Sequence, residues 1–329
     1  MRFLIHLFEI VTEKKSFVDN PVLGSKTLNR LGLHVLRIGL AHGITRLRWA
    51  MLVWRLPKAY RKQFHKNGYI LIENFLDEKE FEEIVAAVAQ LDDNLRECHQ
   101  GDTITQRAIF DDAIYSETPA LNVLKCNSLI KNLFRYAGSA NHSPLIYKEN
   151  IVNGGILGQD PQKDLHTDTF HPTVKAWLYL EDVTPDIGPY HYVEGSHRLS
   201  WARLRWEYKK SINASQSGNH YTGKGSFRIS EAELEELGLP QAKTFTVKKN
   251  TFVLANTFGF HRRGQADAGT TRLSVYMQDR VNPFWPFPSF DCELFRRWRI
   301  AYLKQRDRKE EEQALGEGRQ PVWASVKPD

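Results

Sequence analysis

Cysteine is scarce in this chain of 329 residues: Cys98, Cys126 and Cys292 stand far apart, and no Cys-x-x-Cys pair occurs. That scatter argues against a disulfide framework and against a cysteine-based zinc site, and it predicts a reducing, cytoplasmic setting. Long hydrophobic runs are missing too. No uninterrupted apolar stretch approaches the roughly 20 residues of a membrane-spanning helix. The apolar start from Phe3 to Ile10 meets Glu13, Lys14 and Lys15 at once, without a small-residue cleavage site, so it does not predict secretion. No internal repeat is present. Basic and aromatic residues are not interleaved as in an RNA-binding surface, and no nucleic-acid partner is expected.

What is there suits a folded body with a charged extension. The chain is 41% hydrophobic, 26% charged and 12% aromatic, ordinary for a globular protein with strands and a lined pocket. The net charge of +6 is unevenly spread: residues 1–66 hold 13 Lys/Arg against three Asp/Glu, and the remainder holds 32 against 36. A basic arm on a slightly acidic body points to an anionic surface, lipid before nucleic acid. Residues 28–56 read as helical. On a 3.6-residue wheel Arg30, His34, Arg37, Arg48 and Arg55 fall on one side, and Leu33, Leu36, Leu40, Leu47 and Met51 fall elsewhere. Two readings stand: a helix lying on an anionic membrane, at the inner face of the cell membrane, or a helix packed on the body with its arginines solvated. Residues 1–57 are therefore taken as a basic, amphipathic helical arm.

The body begins near Tyr60. A turn at Asn67-Gly68 leads into a strand, and Asp77, with Glu80 three residues on, caps a helix to about residue 95. Residues 128–137 predict another helix. From Leu145 short apolar or alternating runs recur at 145–152, 174–180, 190–193, 244–247, 251–255 and 271–281, which predicts a mainly β sandwich or jelly roll with flanking helices. Residues 198–240 interrupt it, with Arg198, Arg203, Arg205, Lys209 and Lys210 beside Trp201, Trp206 and Tyr208. A segment this long predicts a lid over an anionic substrate, or else an amphipathic helix on the sandwich. Residues 291–315 read as a charged helix, and the last dozen as frayed.

One stretch gathers the chemistry. In an extended segment residues i and i+2 point to the same side, so His166 and Asp168 aim an imidazole and a carboxylate at one point. By itself that pair reads equally as a surface ion pair. His261 lies at the end of a later β-rich run and offers the second imidazole of a two-histidine, one-carboxylate set, the pattern of non-haem Fe(II) oxygenases. Arg272 follows on the next strand, where a guanidinium can grip a distal carboxylate by two parallel hydrogen bonds, and Ser274 shares its strand face. Tyr147 and Lys148 are candidates to reach cosubstrate or substrate. His171, three residues after Asp168, reads as a group reaching substrate or supporting the ligands, or else as a loop histidine before Pro172. His197 reads as a turn residue, and Trp177 and His191 as strand or pocket-wall residues.

In order along the chain stand the run Phe64 to Ile72, His166-Thr167-Asp168, Leu178 to Thr184, Gly188-Pro189, Gly195 to Arg198, and His261 to Gly264 with Arg272. Together they resemble the phytanoyl-CoA dioxygenase family of Fe(II)/2-oxoglutarate oxygenases. The resemblance covers about residues 58–285 and leaves 1–57, 200–240 and the C-terminal tail unexplained. The domain is taken as residues 58–290, with 291–329 a C-terminal helix and tail. The resemblance implies a double-stranded β-helix (jelly-roll, cupin-like) core. It implies that His166, Asp168 and His261 are catalytic iron ligands, and that Arg272, helped by Ser274, binds the far carboxylate of 2-oxoglutarate. O2 is then the second cosubstrate, with succinate and CO2 as products. Related halogenases leave the carboxylate position free for chloride, so Asp168 points to hydroxylation. The charge placement adds an expectation of an anionic small molecule, lipid or glycoconjugate as substrate. A non-catalytic barrel that keeps the fold is the alternative, and a zinc hydrolase is a third reading that leaves Arg272 and Ser274 unexplained.

Overall fold

Alternating side chains decide where the sheet lies and which residues it turns inward. The computed structural model describes residues 2–92, 94–155 and 158–326. Its strands are β1 (Tyr69–Ile72), β2 (Arg96–Gln100), β3 (Thr103–Ile109), β4 (Leu145–Asn153), β5 (Val174–Tyr179), β6 (Tyr190–Tyr192), β7 (Lys243–Thr244), β8 (Thr251–Asn256), β9 (His261–Arg263), β10 (Thr271–Asp279) and β11 (Ala324–Ser325). The major sheet runs β1-β8-β5-β10-β4-β3-β2-β11, and the minor sheet runs β7-β6-β9. The backbone of His166 extends the minor sheet by pairing with His261 in both directions, each N···O distance 3.0 Å. From β4 onward the chain therefore passes between the sheets: β4 major, His166 minor, β5 major, β6 and β7 minor, β8 major, β9 minor, β10 major. That alternation is the double-stranded β-helix.

The strands expected at 145–152, 174–180, 190–193, 251–255 and 271–281 form, whereas the run at 244–247 is reduced to Lys243–Thr244 and an isolated bridge at Val247. The β2–β3 hairpin has no counterpart in the sequence reading, since its polar residues Glu97, His99, Gln100 and Gln106 hide the period of two. The tail read as frayed contributes β11, which pairs with β2 through Ala324 and Ser325; residues 327–329 lie outside the described ones.

Helices cover the outer face of the major sheet. They are α4 (Lys58–Asn67), α5 (Glu78–Ala89), α6 (Asp112–Glu117), α7 (Asn122–Cys126) and α8 (Ser128–Ala137), following the N-terminal α1 (Arg2–Phe8), α2 (Lys26–Arg30) and α3 (Leu33–Met51). Phe64, Ile84, Leu133 and Phe134 meet Ile70, Ala176, Leu254 and Val275 of the sheet in one apolar core. Asp77 caps α5 through Lys79 N at 3.1 Å, at the predicted start. Gly68 ends α4 with φ 92°, and a Cβ there would lie 2.3 Å from the Tyr192 hydroxyl; only glycine fits both demands.

The arm overturns one expectation. Arg37 and Arg48 are 3% and 2% exposed, whereas Leu36 and Leu40 of the same helix are 61% and 51% exposed. α3 packs on the body by its polar side. Arg37 donates to the carbonyls of Ile10, Thr12 and Lys14 at 2.8, 3.1 and 2.7 Å. Arg48 donates to the carbonyls of Asn282 and Trp285 at 3.1 and 2.8 Å. These carbonyls give each buried guanidinium hydrogen-bond partners that offset its desolvation.

The segment at 198–240 folds as α9 (Trp201–Ile212), α10 (His220–Gly223) and α11 (Glu231–Glu236). Arg203, a solvent-facing cation under both the lid and the amphipathic-helix readings, is buried. It pairs with Glu207 at 3.0 Å, and Glu207 holds His34 of α3 at 3.1 Å. Tyr208 donates to the Arg30 carbonyl at 2.9 Å, so α9 fastens the arm to the minor sheet. The last helix, α12 (Glu293–Gly316), lies across the open end of the major sheet.

Candidate metal centre

His166 lies two residues ahead of Asp168 in the connection from β4 to β5, and His261 opens β9. Because His166 and His261 pair backbone to backbone, their rings are neighbours, with centroids 4.5 Å apart. The Nε2 atoms of His166 and His261 stand 3.9 and 3.7 Å from Asp168 Oδ1. Candidate ligand atoms of all three lie within 4.8 Å of one another.

The tautomer of both imidazoles follows from their other nitrogen. His166 Nδ1 is 2.7 Å from the Asp164 carbonyl, and His261 Nδ1 is 2.9 Å from the Gly259 carbonyl. A carbonyl only accepts, so each Nδ1 carries a proton and Nε2 is the ring nitrogen left to face the point between the three residues. His166 Nε2 is buried with no partner among the described residues. Burial, then the neighbouring His261, pushes the His166 pKa well below its ordinary value, so the ring is neutral. At Asp168 burial alone would raise the pKa, but Lys175 and then His261 hold it well below the usual carboxylate range. Lys175 Nζ sits 2.7 Å from Asp168 Oδ2. Two imidazole Nε2 atoms and a carboxylate facing one point are a donor set for a divalent transition metal.

These three residues line a cavity of about 190 Å³ together with Arg272, Trp177, Tyr190 and Tyr276. Register explains the company. Ser274 pairs with Tyr179, and Tyr179 with Thr251, so the three form one row across β10, β5 and β8. The Ser274, Tyr179 and Thr251 hydroxyls and Arg272 Nε are all buried without a partner among the described residues. One arm of the Arg272 guanidinium donates to the Gly188 carbonyl. A row of unpaired donors beside a buried guanidinium fits a small dicarboxylate, since leaving such groups unpaired costs about 1–3 kcal/mol each.

The structure thus brings His166, Asp168, His261 and Arg272 to one cavity and sets Ser274 in the adjoining row. Trp177 walls the cavity and donates to Glu149 Oε1 at 3.1 Å. Tyr147 faces inward further out. Lys148 does not: it points to the opposite face and donates to the Leu91 carbonyl at 2.6 Å. His171 and His197 are buried outside the cavity lining, and burial lowers each pKa to about 3. Sequence reasoning missed two lysines. Lys175 shares the inward row of Trp177 and Tyr179, a signal available from alternation alone. Lys15 donates to the Asp168 carbonyl from the N-terminal arm, and burial, against the pull of Asp168, lowers its pKa to about 8. Nothing local in the sequence announces that contact, which spans 153 residues.

The family model described as Phytanoyl-CoA dioxygenase (PhyH) matches residues 64–235, more than half of the chain. No curated protein matches the chain at a significant level. Among solved structures, the epimerase SnoN in complex with Fe3+, alpha ketoglutarate and nogalamycin RO is 17% identical over 67% of this chain and 82% of that one, with a TM-score of 0.46. HygX from Streptomyces hygroscopicus with nickel and 2-oxoglutarate bound is 18% identical over 68% and 86%, with a TM-score of 0.43. The carbocyclase SnoK from nogalamycin biosynthesis is 18% identical over 68% and 84%, with a TM-score of 0.42. Likenesses this low carry no weight in assigning a substrate or a reaction.

Proposed function

The chain belongs to the phytanoyl-CoA dioxygenase family, and on that footing we propose that it is an Fe(II)/2-oxoglutarate-dependent hydroxylase of a small anionic organic molecule. The observation that carries this reading is the pinned pair of imidazoles: both Nδ1 atoms are held by carbonyls, and both Nε2 atoms face Asp168. His166, Asp168 and His261 would hold the iron. Arg272 would grip the far carboxylate of 2-oxoglutarate, and the unpaired Ser274 and Tyr179 hydroxyls support that role. Iron bound with 2-oxoglutarate and O2 supplies an oxidant able to break an unactivated C–H bond, converting RH to ROH with release of succinate and CO2. Every other contribution belongs to the chain. Lys175 orients the carboxylate of Asp168, the carbonyls of Asp164 and Gly259 orient the rings, and Trp177 and Tyr190 keep water out. Asp168 occupies the position that halide-transferring relatives leave free, which favours hydroxylation.

The test is succinate release from 2-oxoglutarate. It is expected to require added Fe(II) and O2 and to fall to background in Asp168→Ala. Full turnover in that variant, or succinate release without iron, would overturn the assignment. Anaerobic addition of Fe(II) and 2-oxoglutarate should give a visible charge-transfer band, and its absence would favour the binding-only alternative.

The arm supports a second part of the reading, peripheral contact with an anionic membrane. No described helix is long and apolar enough to cross a membrane. The outward side of α3 nevertheless presents Leu36, Leu40, Leu47 and Met51, and α1 presents Phe3, Leu4 and Phe8. Exposed Lys26, Arg30 and Arg46 flank this surface. An apolar strip bordered by cations matches the interface of an anionic bilayer. Co-flotation with phosphatidylglycerol vesicles should be strong in wild type, weaker at high salt, and lost in Leu36→Ser/Leu40→Ser. Equal flotation of that variant would refute the contact, and concentration-dependent dimerisation without flotation would give the face to a second copy of the chain.

A further inference from the structure

The inner face of the major sheet continues past the barrel. Ser274 pairs with Glu149, Glu149 with Arg107, and Arg107 with Arg96, so one inward row runs from the candidate cosubstrate site out to β2. Over β3 and β2 the minor sheet no longer covers this face. α12 and the tail cover it instead, and between them and the sheet lies a groove of about 730 Å³. Arg107 and Trp323 line both this groove and the 190 Å³ cavity around His166, Asp168 and His261. The two spaces therefore adjoin at the Arg107 guanidinium, which lies 3.9 Å from the Tyr276 ring centroid and 5.4 Å from that of Trp323.

Volume argues for a division of labour. Small-molecule sites span about 300–1,000 Å³. The inner cavity falls below that range, and the outer groove falls within it. A substrate much larger than its reacting carbon cannot be housed around the metal ligands alone.

The walls of the groove specify its guest. α12 is propped on ion pairs, Arg296 to Asp112 at 2.7 Å, Arg299 to Asp279 at 3.0 Å and Lys304 to Asp111 at 2.6 Å, which leave space beneath it. On the groove side Phe295, Trp298 and Tyr302 stack ring on ring, with centroids 5.7 and 5.6 Å apart, and they remain 46%, 60% and 50% exposed. A contiguous aromatic ladder facing solvent marks a surface for an apolar or planar partner. Two exposed cations of the lining, Arg280 and Arg308, have no ion-pair partner among the described residues. They give the groove an unbalanced positive charge.

We propose that this groove binds the body of the substrate, and that the substrate is an anionic amphiphile: an apolar or planar chain laid on the Phe295, Trp298 and Tyr302 ladder, with a phosphate or carboxylate at Arg280 and Arg308, and its reacting end turned inward past Arg107. The proposal names a substrate class for the hydroxylase reading and rests on it, but binding in the groove does not need the metal.

The test uses full-length protein titrated below their micelle concentrations with decyl phosphate, decanoate and the neutral decyl maltoside, followed by calorimetry and by tryptophan fluorescence. Wild type should bind at least one of the two anions about tenfold or more tighter than the maltoside, and the stronger of the two identifies the head group. Arg280→Glu/Arg308→Glu, a change of two exposed side chains, should remove that preference. Trp298→Ala/Tyr302→Ala should weaken all three probes about tenfold or more. Asp168→Ala should bind as wild type does, so loss of turnover and loss of groove binding are read separately. Wild-type affinities in both groove variants, or no preference for an anion in wild type, would overturn the proposal even if succinate release is observed.

Discussion

The barrel interior and the N-terminal arm both bury charged and polar groups, and they differ in how the guanidiniums are met and where the unpaired atoms gather. In the arm the buried guanidiniums are satisfied by the protein: Arg37 by three carbonyls, Arg48 by two carbonyls and Ser139, and Arg203 of the neighbouring helix by Glu207. In the barrel His166 Nε2, Arg272 Nε and the Ser274 and Tyr179 hydroxyls are buried and unpaired. A protein that leaves such atoms unpaired gives up stability unless something else meets them. Unpaired atoms occur in the arm as well, at His34 Nδ1 and His42 Nε2, so what sets the barrel apart is that its unpaired imidazole, guanidinium and hydroxyl atoms gather around one cavity.

Substitutions can break that comparison, beginning with the largest effect. Glu207→Ala strands Arg203 and His34 in the interior and should destabilise the fold by about 3–5 kcal/mol, measured by urea unfolding. A loss under about 1 kcal/mol would show that water reaches this network. In the barrel Arg272→Ala should raise the KM for 2-oxoglutarate about 10–100-fold, the worth of a lost charge-assisted contact, with little change in melting temperature. An unchanged KM would remove Arg272 from the cosubstrate site.

Acid should reach the arm's network through Glu207. Burial raises its pKa, but Arg203 and then His34 outweigh burial and hold it below its ordinary 4.5. Its folded-state pKa is depressed, so its stabilising contribution is complete above about 4.5 and fades as pH falls through the lower folded value. Glu207→Gln should therefore flatten the acid limb of a stability-against-pH curve; an identical limb in the variant would mean that other carboxylates set it. Ser274→Ala removes an unpaired buried hydroxyl and should leave stability within about 1 kcal/mol while raising the KM for 2-oxoglutarate. The smallest expected effect is that of Leu36→Ser, within about 0.5 kcal/mol as for an exposed site. A larger loss would mean that the apolar side of α3 packs on protein in solution.

The same contrast explains what could be read in advance. The strands of the barrel were legible because a period of two assigns each residue to a face, and the inward face of β10 carries Arg272, Ser274 and Tyr276 together. The β2–β3 hairpin was not, because polar residues occupy both of its faces. The wheel wrongly joined to α3 both Arg30, which lies exposed in α2 before a break at Gly32, and Arg55, which lies beyond the end of α3. Within α3 it separated Arg37 and Arg48 from Leu36, Leu40 and Leu47 but could not tell which side meets the body. The acceptors that meet the two arginines come from residues 10, 12, 14, 282 and 285. The groove under α12 was invisible for a related reason: its two walls lie about 200 residues apart in the chain.

By itself, then, the sequence determined the set of donors at the candidate metal centre. His166 and Asp168 share a side because extended backbone turns i and i+2 the same way, and the ordered motifs single out His261 and Arg272. Tertiary structure alone decided the rest: that both imidazoles are held as Nδ1–H tautomers by local carbonyls, that Lys175 and the distant Lys15 reach Asp168, and that α3 turns its arginines inward. Local periodicity fixes which side chains share a face. Only the completed fold supplies the acceptors and charges that set what each face must do.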